Sequence, residues 1–170
     1  ATRTADICAG AGMSSGNLFH YFPSKHAVFL AAIERDGAQT ASALAALRHA
    51  GPPFATLLGL LDHICQLAAD PVVAGFALEV AAQAHRDPEV KARFRTNDRA
   101  LRSELEHLVR AAMAQGAVRT TLTPERAATW LDALLDGVFA RVAADPAFDP
   151  VAEAGVLRGL VLHLLQGGAD

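Results

Sequence analysis

Apolar residues recur along most of this chain at the i, i+3, i+4 spacing of one helix face, in blocks separated by turn signals. The longest block, 88–114, places Val90, Phe94, Leu101, Leu105, Leu108 and Ala112 on one stripe, with Lys91, Arg95, Arg99, Arg102 and Glu106 off it. That is an amphipathic helix covering a core. Breaks at Gly51-Pro52-Pro53, Asp70-Pro71, Asp87-Pro88, Gln115-Gly116 and Asp145-Pro146 predict the other long helices at 24–49, 54–69, 72–85, 124–144 and 150–166. No stretch shows the β-branched alternation of a strand, so the pattern predicts an all-α fold.

The last two helices are apolar on more than one side. Over 127–142 only Thr129, Asp132 and Asp136 make a narrow polar strip. In 151–165, Val156, Leu157, Leu160, Val161, Leu162, Leu164 and Leu165 surround most of the axis. A helix apolar almost all round is buried on two sides. In a chain this small the second partner is most economically another copy, giving a four-helix bundle across a two-fold axis. Leu134, Val138, Leu160 and Leu164 are the predicted interface residues.

The first two dozen residues read differently. A short helix begins near Thr4 and turns Ile7 and Cys8 inward. Gly12 permits the positive φ that ends it. Ser14 is placed to cap a second short helix, on which Leu18 and Phe22 share an inner face with Met13. Ser15, Asn17, His20 and Tyr21 then point outward or sideways. Pro23 ends this helix and Ser24 caps the next, which opens with Lys25. Two short helices joined by a glycine turn are a helix-turn-helix candidate.

The residues Thr4, Ile7, Gly12-Met13-Ser14, Gly16, Leu18-Phe19, Tyr21-Phe22 and Ser24-Lys25 together resemble the DNA-binding signature of TetR-family bacterial transcriptional regulators. The resemblance is specific over the first thirty or so residues of the chain. Beyond them, Asp87-Pro88-Glu89-Val90 and the run from Leu131 to Gly137 are similar, more loosely, to the effector domains of one broad subgroup. The resemblance implies a TetR-like fold: a helix-turn-helix at 1–30, incomplete at its N-terminus, and an effector-binding and dimerisation domain at 31–170. The family's further first helix, which packs over the motif, has no counterpart after Ala1. The short motif is therefore expected to lean on the helix beginning at Ser24, because two short helices bury little apolar area.

The resemblance also carries site residues onto matching positions. Ser15, Gly16 and Asn17 are placed to meet base edges at the start of the recognition helix, which Ser14 caps. Thr4, Phe19, His20, Tyr21 and Lys25 are placed for phosphates and groove walls. Phe19 departs from the tyrosine common there, which removes one phosphate hydrogen bond. The two recognition helices of a dimer are expected on one side, on the order of 34–36 Å apart or somewhat wider with effector bound.

Charge changes this picture only modestly. The net charge of −3 does not advertise nucleic-acid binding, but residues 1–50 hold four Lys/Arg against three Asp/Glu, and 124–170 hold three against seven. The acidic end is expected to face away from phosphates.

At 52% apolar and 19% charged the chain can bury a large core. No apolar run reaches membrane-span length and no signal-peptide pattern is present, which points to the cytoplasm. Cys8 and Cys65 sit in apolar helical contexts and read as buried, reduced thiols.

Catalytic chemistry finds little support. Gly10, Gly12 and Gly16 have the wrong spacing for a dinucleotide fingerprint and follow no strand. The histidines form no metal-ligand motif, and no metal or cofactor is expected. A ligand cavity among the middle helices is a better candidate. Glu79 and Gln83 interrupt the apolar run 72–84, and Asp62, His63 and Gln66 interrupt 54–69; polar groups facing an apolar interior need partners. His63, Phe76, Glu79, Gln83 and Trp130 are the predicted lining; solvent exposure or mutual bonding is the plainer reading of the polar groups, and ordinary core that of Trp130.

The expected function is a ligand-responsive DNA-binding transcriptional regulator, a repressor released from operator DNA by a small-molecule effector, homodimeric and not an enzyme. The alternative is an all-helical dimeric ligand-binding protein without DNA binding. In the first case the helix from Ser24 transmits the signal, pushed at its far end by the helices at 54–84.

Overall fold

A computed structural model describes residues 3–48 and 51–167, all of whose regular structure is helical: α1 (Thr4–Ala11), α2 (Ser15–Tyr21), α3 (Lys25–Leu47), α4 (Pro53–Ala68), α5 (Pro71–Ala84), α6 (Pro88–Ala114), α7 (Pro124–Ala144) and α8 (Ala154–Gln166). The helix starts follow from the breaks themselves. Asp70 accepts from the Val72 and Val73 amides, and Asp87 from those of Glu89 and Val90. Each Asp-Pro pair therefore supplies an N-cap and then a residue with no amide hydrogen to satisfy. Thr123 does the same for α7, accepting from the Arg126 amide ahead of Pro124.

The expected end of α3 at His49 lies outside the described residues; one boundary within them differs from the sequence expectation. The last helix starts at Ala154 rather than near Pro150, because the Asp149 carboxylate accepts from the Val151 and Ala152 amides. That local turn competes with helix geometry and delays its onset.

α6 is the central element, packing on α3, α4, α5 and α7. Its stripe behaves as predicted: Val90, Leu105, Leu108 and Ala112 are buried, and Phe94 and Leu101 are half-buried. The core falls into two parts. A large cluster joins α4, α6, α7 and α8 through Leu57, Leu61, Leu105, Leu131, Leu135, Val161 and Leu165. A smaller one joins α3, α5 and α6 through Leu30, Ile33, Val80, Ala84 and Val90, with Phe29, Phe76 and Phe94 against it.

The contact of α3 with α6 is close and polar. Arg93 donates to Glu34 at 2.7 Å and Arg48 to Glu104 at 2.6 Å. Between these pairs, a methyl group on Gly37 would overlap the Asn97 side-chain amide. Glu104 is 1% exposed, and its Oε1 has no hydrogen-bond partner among the described residues. α6 thus takes the place expected for the helices at 54–84 along most of α3, while α5 meets α3 only near its start, where Phe29 and Phe76 pack edge to face.

No single helix among the described residues is long and apolar enough to cross a membrane; α4 and α5 pass that test only as a pair bent by 95°.

Candidate nucleic-acid interface and effector region

The motif at the start of the chain forms two helices that pack on each other. Gly12 ends α1 in the left-handed conformation (φ 63°), a backbone geometry that favours glycine. Ser14 accepts from the Asn17 amide at 3.2 Å and so caps α2. Cys8 and Leu18 are buried between the helices; Ile7, Met13 and Phe22 are half-buried around them.

Outside this small core lies a continuous exposed surface. Ser15, Gly16, Asn17, Phe19, His20, Tyr21 and Lys25 are exposed, and Thr4 is half-exposed. Ser15 Oγ lies 3.8 Å from the Cys8 thiol, which ties its orientation to α1. His20 and Tyr21 stack edge to face with ring centres 5.2 Å apart, so the two outward rings hold each other's position. Nothing in the protein crowds Gly16, and its backbone is ordinary helix. Its lack of a side chain clears space in front of α2 rather than inside the fold.

Two cations belong to this region. Arg3 is spent on Asp6: its amide and guanidinium both donate to that carboxylate, whose pKa these bonds lower. Lys25 stands at the first turn of α3, just after Ser24 caps it by accepting from the Ala27 amide at 3.1 Å. A lysine there opposes the helix macrodipole, which favours anions at that end. The joint to the body is near. His26 lies 3.4 Å from Asp87, at the corner between α5 and α6.

The residues expected to line a ligand cavity do not converge. Glu79 and Gln83 are exposed and bonded to each other at 2.8 Å across one helical turn. Their polarity is met on the surface, so the expectation that they face an apolar interior is corrected. His63 is exposed, and Phe76 packs against Phe29 in the small core. Trp130 is 56% exposed. None of the five lines either of two grooves, one of about 400 Å³ between α3 and α6 and one of about 310 Å³ between α7 and α8.

The second groove coincides with the predicted interface. Leu134, Val138 and Leu160 line it, alongside Gly137 and Val156. Within one chain Val138 is buried, Leu134 and Leu164 are half-buried, and Leu160 is 53% exposed. α8 buries Leu157, Val161 and Leu165 and turns Val156 and Leu160 outward. Both thiols are buried and free, and burial with the nearby Asp62 charge raises the Cys65 pKa.

One group was missed by the sequence reading. Asp98 falls on the inward stripe of α6, four residues after Phe94 and three before Leu101. Asp132, read as part of a polar strip, is 8% exposed. Burial and the charges of Asp136 and Asp98 push its pKa up to about 7. Asp136 keeps an open edge, yet burial and Asp98 raise it as well. The signal was available as a carboxylate at an otherwise apolar stripe position.

Comparison with known proteins agrees with this architecture. Residues 1–32 match the family described as bacterial regulatory proteins, tetR family, and residues 55–166 match the BetI-type transcriptional repressor, C-terminal family. The HTH-type transcriptional repressor AcnR of Corynebacterium efficiens is 26% identical over 149 residues, covering 84% of this chain and 71% of AcnR. A putative transcriptional regulator from Saccharomonospora viridis, in complex with choline, superimposes with a TM-score of 0.84 at 22% identity, over 98% of this chain and 88% of that one. FadR from Bacillus subtilis, in complex with stearoyl-CoA, gives 0.77 at 18% identity, over 96% and 89%.

Proposed function

The chain belongs to the TetR family of bacterial regulatory proteins, and we propose that it is a homodimeric, cytoplasmic repressor that leaves its operator when a small molecule binds the α3–α8 body. The observation that carries this reading is α2: a capped helix that buries only Leu18 and turns its other side chains outward. Ser15, Gly16 and Asn17 meet base edges, with Gly16 letting the backbone approach the groove. Thr4, Phe19, His20, Tyr21 and Lys25 meet phosphates and groove walls. A phosphate beside Lys25 and the start of α3 satisfies both the lysine and the helix end.

The dimer forms through α7 and α8. Leu160 and Val156 are exposed in the single chain and sit beside the half-buried Leu134 and Leu164. A contiguous apolar face of this kind marks an interaction surface, and its pairing with itself buries upward of about 1,000 Å² in total. Support for an effector comes from two solved relatives of the same fold that hold small molecules. Their ligands differ in chemistry, so the fold alone does not select one. Nothing in this reading requires catalysis.

The test is binding of the full-length protein to promoter DNA upstream of its own gene. Specific binding is expected, with Asn17→Ala flattening the preference between operator variants. A protein that dimerises yet shows no specific affinity for that DNA fits instead a ligand-binding protein without DNA binding. The spent Arg3 charge and the net charge of −3 favour that second reading.

A further inference from the structure

We infer that Trp130 of each subunit seats in the α7–α8 groove of the other, so that the dimer is keyed by a reciprocal tryptophan. The inference rests on the dimer reading above and names what each copy contributes to its neighbour.

Trp130 has no place inside its own chain. It is more than half exposed and packs on neither core cluster. A tryptophan buries about 150–250 Å² when it finds a partner, and at the centre of an interface it is among the strongest anchors. Its position on α7 is equally telling. Leu134, Gly137 and Arg141 follow it at one, two and three turns on the same stripe, and all three line the groove. Trp130 itself does not. Side chains on a helix lean toward its N-terminus, so this ring leans away from Gly137 and from the groove beyond it.

The groove suits one indole ring. Its volume of about 310 Å³ is at the lower end for a small-molecule site. Val138 and Leu157 are its buried floor, and Val156 and Leu160 stand exposed beside them. A Cβ at Gly137 would meet nothing within 4 Å, so the helix surface is open there. Glu153, exposed at the far end of the groove, supplies an acceptor for the indole N–H.

Two-fold symmetry joins ring and groove. In such an interface one patch meets itself, so every contact is made twice. An axis crossing α7 between Ala133 and Leu134 runs the two copies of the helix antiparallel. Positions 130 and 137 then lie equally far from the axis, about 5 Å at 1.5 Å per residue, and face each other across it. Trp130 of one copy now leans toward the C-terminal half of the other copy's α7. That is the direction in which the groove continues, past Gly137 to Arg141 and Glu153. Ala133, exposed at the crossing, is small enough for two helices to approach closely.

The test uses the intact protein without DNA and takes Trp130 as its own probe, since the sequence holds no other tryptophan. Sedimentation equilibrium gives the fraction of dimer, and fluorescence gives the surroundings of the indole. On dilution through the dissociation range, emission should move to longer wavelength and acrylamide quenching should rise in step with the monomer. Trp130→Ala should weaken the dimer by about thirtyfold or more, the loss of an aromatic anchor, with the helical content of the subunit unchanged. Gly137→Leu, which grows a side chain into the seat, should weaken it as well. The two losses should not add: once Trp130 is gone, Gly137→Leu should cost little more.

A dimer whose Trp130 stays open to acrylamide, a Trp130→Ala dimer as tight as its parent, or two losses that add in full overturns the inference. Each of these leaves the α7–α8 dimer standing with another occupant in the groove. A protein that stays monomeric throughout the range removes the dimer reading and this inference together. Should Gly137→Leu fail to fold, the quenching and Trp130→Ala decide.

Discussion

The reading head and the body behind it are built to opposite specifications. In α1 and α2 the buried side chains are Cys8 and Leu18, and most of the rest faces outward. In the body, α4 alone buries Leu57, Leu60, Leu61, Ile64, Cys65 and Ala68. Head geometry is fixed by local devices, the Gly12 turn and the Ser14 and Ser24 caps, which cost little apolar surface. Body geometry is fixed by packing. The head therefore spends its side chains on a partner, while the body spends them on itself.

The largest test of that contrast compares two truncations. Leu105→Ala or Leu131→Ala, both fully buried in the large core, should cost about 2–5 kcal/mol of global stability, read by urea denaturation. Leu18→Ala should abolish promoter binding yet leave the main unfolding transition in place. An equal loss of global stability in Leu18→Ala would show that head and body fold as one unit.

Next in size is Leu160→Asp. Because Leu160 is half-exposed within one chain, the change should leave the subunit folded and weaken the dimer by several kcal/mol through a charge stranded in apolar contact. Sedimentation equilibrium reads this directly, and a variant as dimeric as its parent would move the interface elsewhere.

A smaller effect concerns pH and belongs to the body alone. The Asp132 pKa lies near 3.8 when unfolded and about 7 when folded, so the folded state holds the proton more tightly. Its contribution is full below the unfolded pKa and is lost as pH rises to about 7, with no further change above. Chemical denaturation should show stability falling by on the order of 1–3 kcal/mol across that window, and Asp132→Asn should flatten the fall.

The smallest effect on stability is in the head. Lys25→Ala should leave the melting temperature unchanged or slightly raised, since it removes a cation from a helix start. Its cost appears in binding, as a salt slope shallower by about one unit for all sequences. An unchanged slope would remove Lys25 from the phosphate contacts.

The same contrast explains what could be read from sequence. Helix boundaries set by Asp70-Pro71, Asp87-Pro88, Ser14 and Gly12 were legible because cap and helix lie a few residues apart. Where a side chain faces another helix, rotation about both axes decides the outcome. Glu79 and Gln83 turn out to solvent and satisfy each other, Trp130 turns away from the interior, and Asp98 and Asp132 turn in to meet. The apolar surplus of α8 was legible because it needs no rotation angle: Leu160 and Leu165 cannot both face one core.

The contact of Gly37 with Asn97 gives the molecule a fulcrum. It is a close approach of α3 to α6, and it lies near the middle of the helix. Twelve residues separate it from Lys25, an arm of about 18 Å at 1.5 Å per residue, so a tilt of about 10° there sweeps the head through roughly 3 Å. The opposite arm, ending near Arg48 and Glu104, swings the other way by a similar distance. In a two-fold dimer the two heads move in mirrored directions, and their separation changes by up to twice the sweep of one arm. Under the proposed function, an effector that tilts α3 about this contact alters the spacing at which two adjacent major grooves are read.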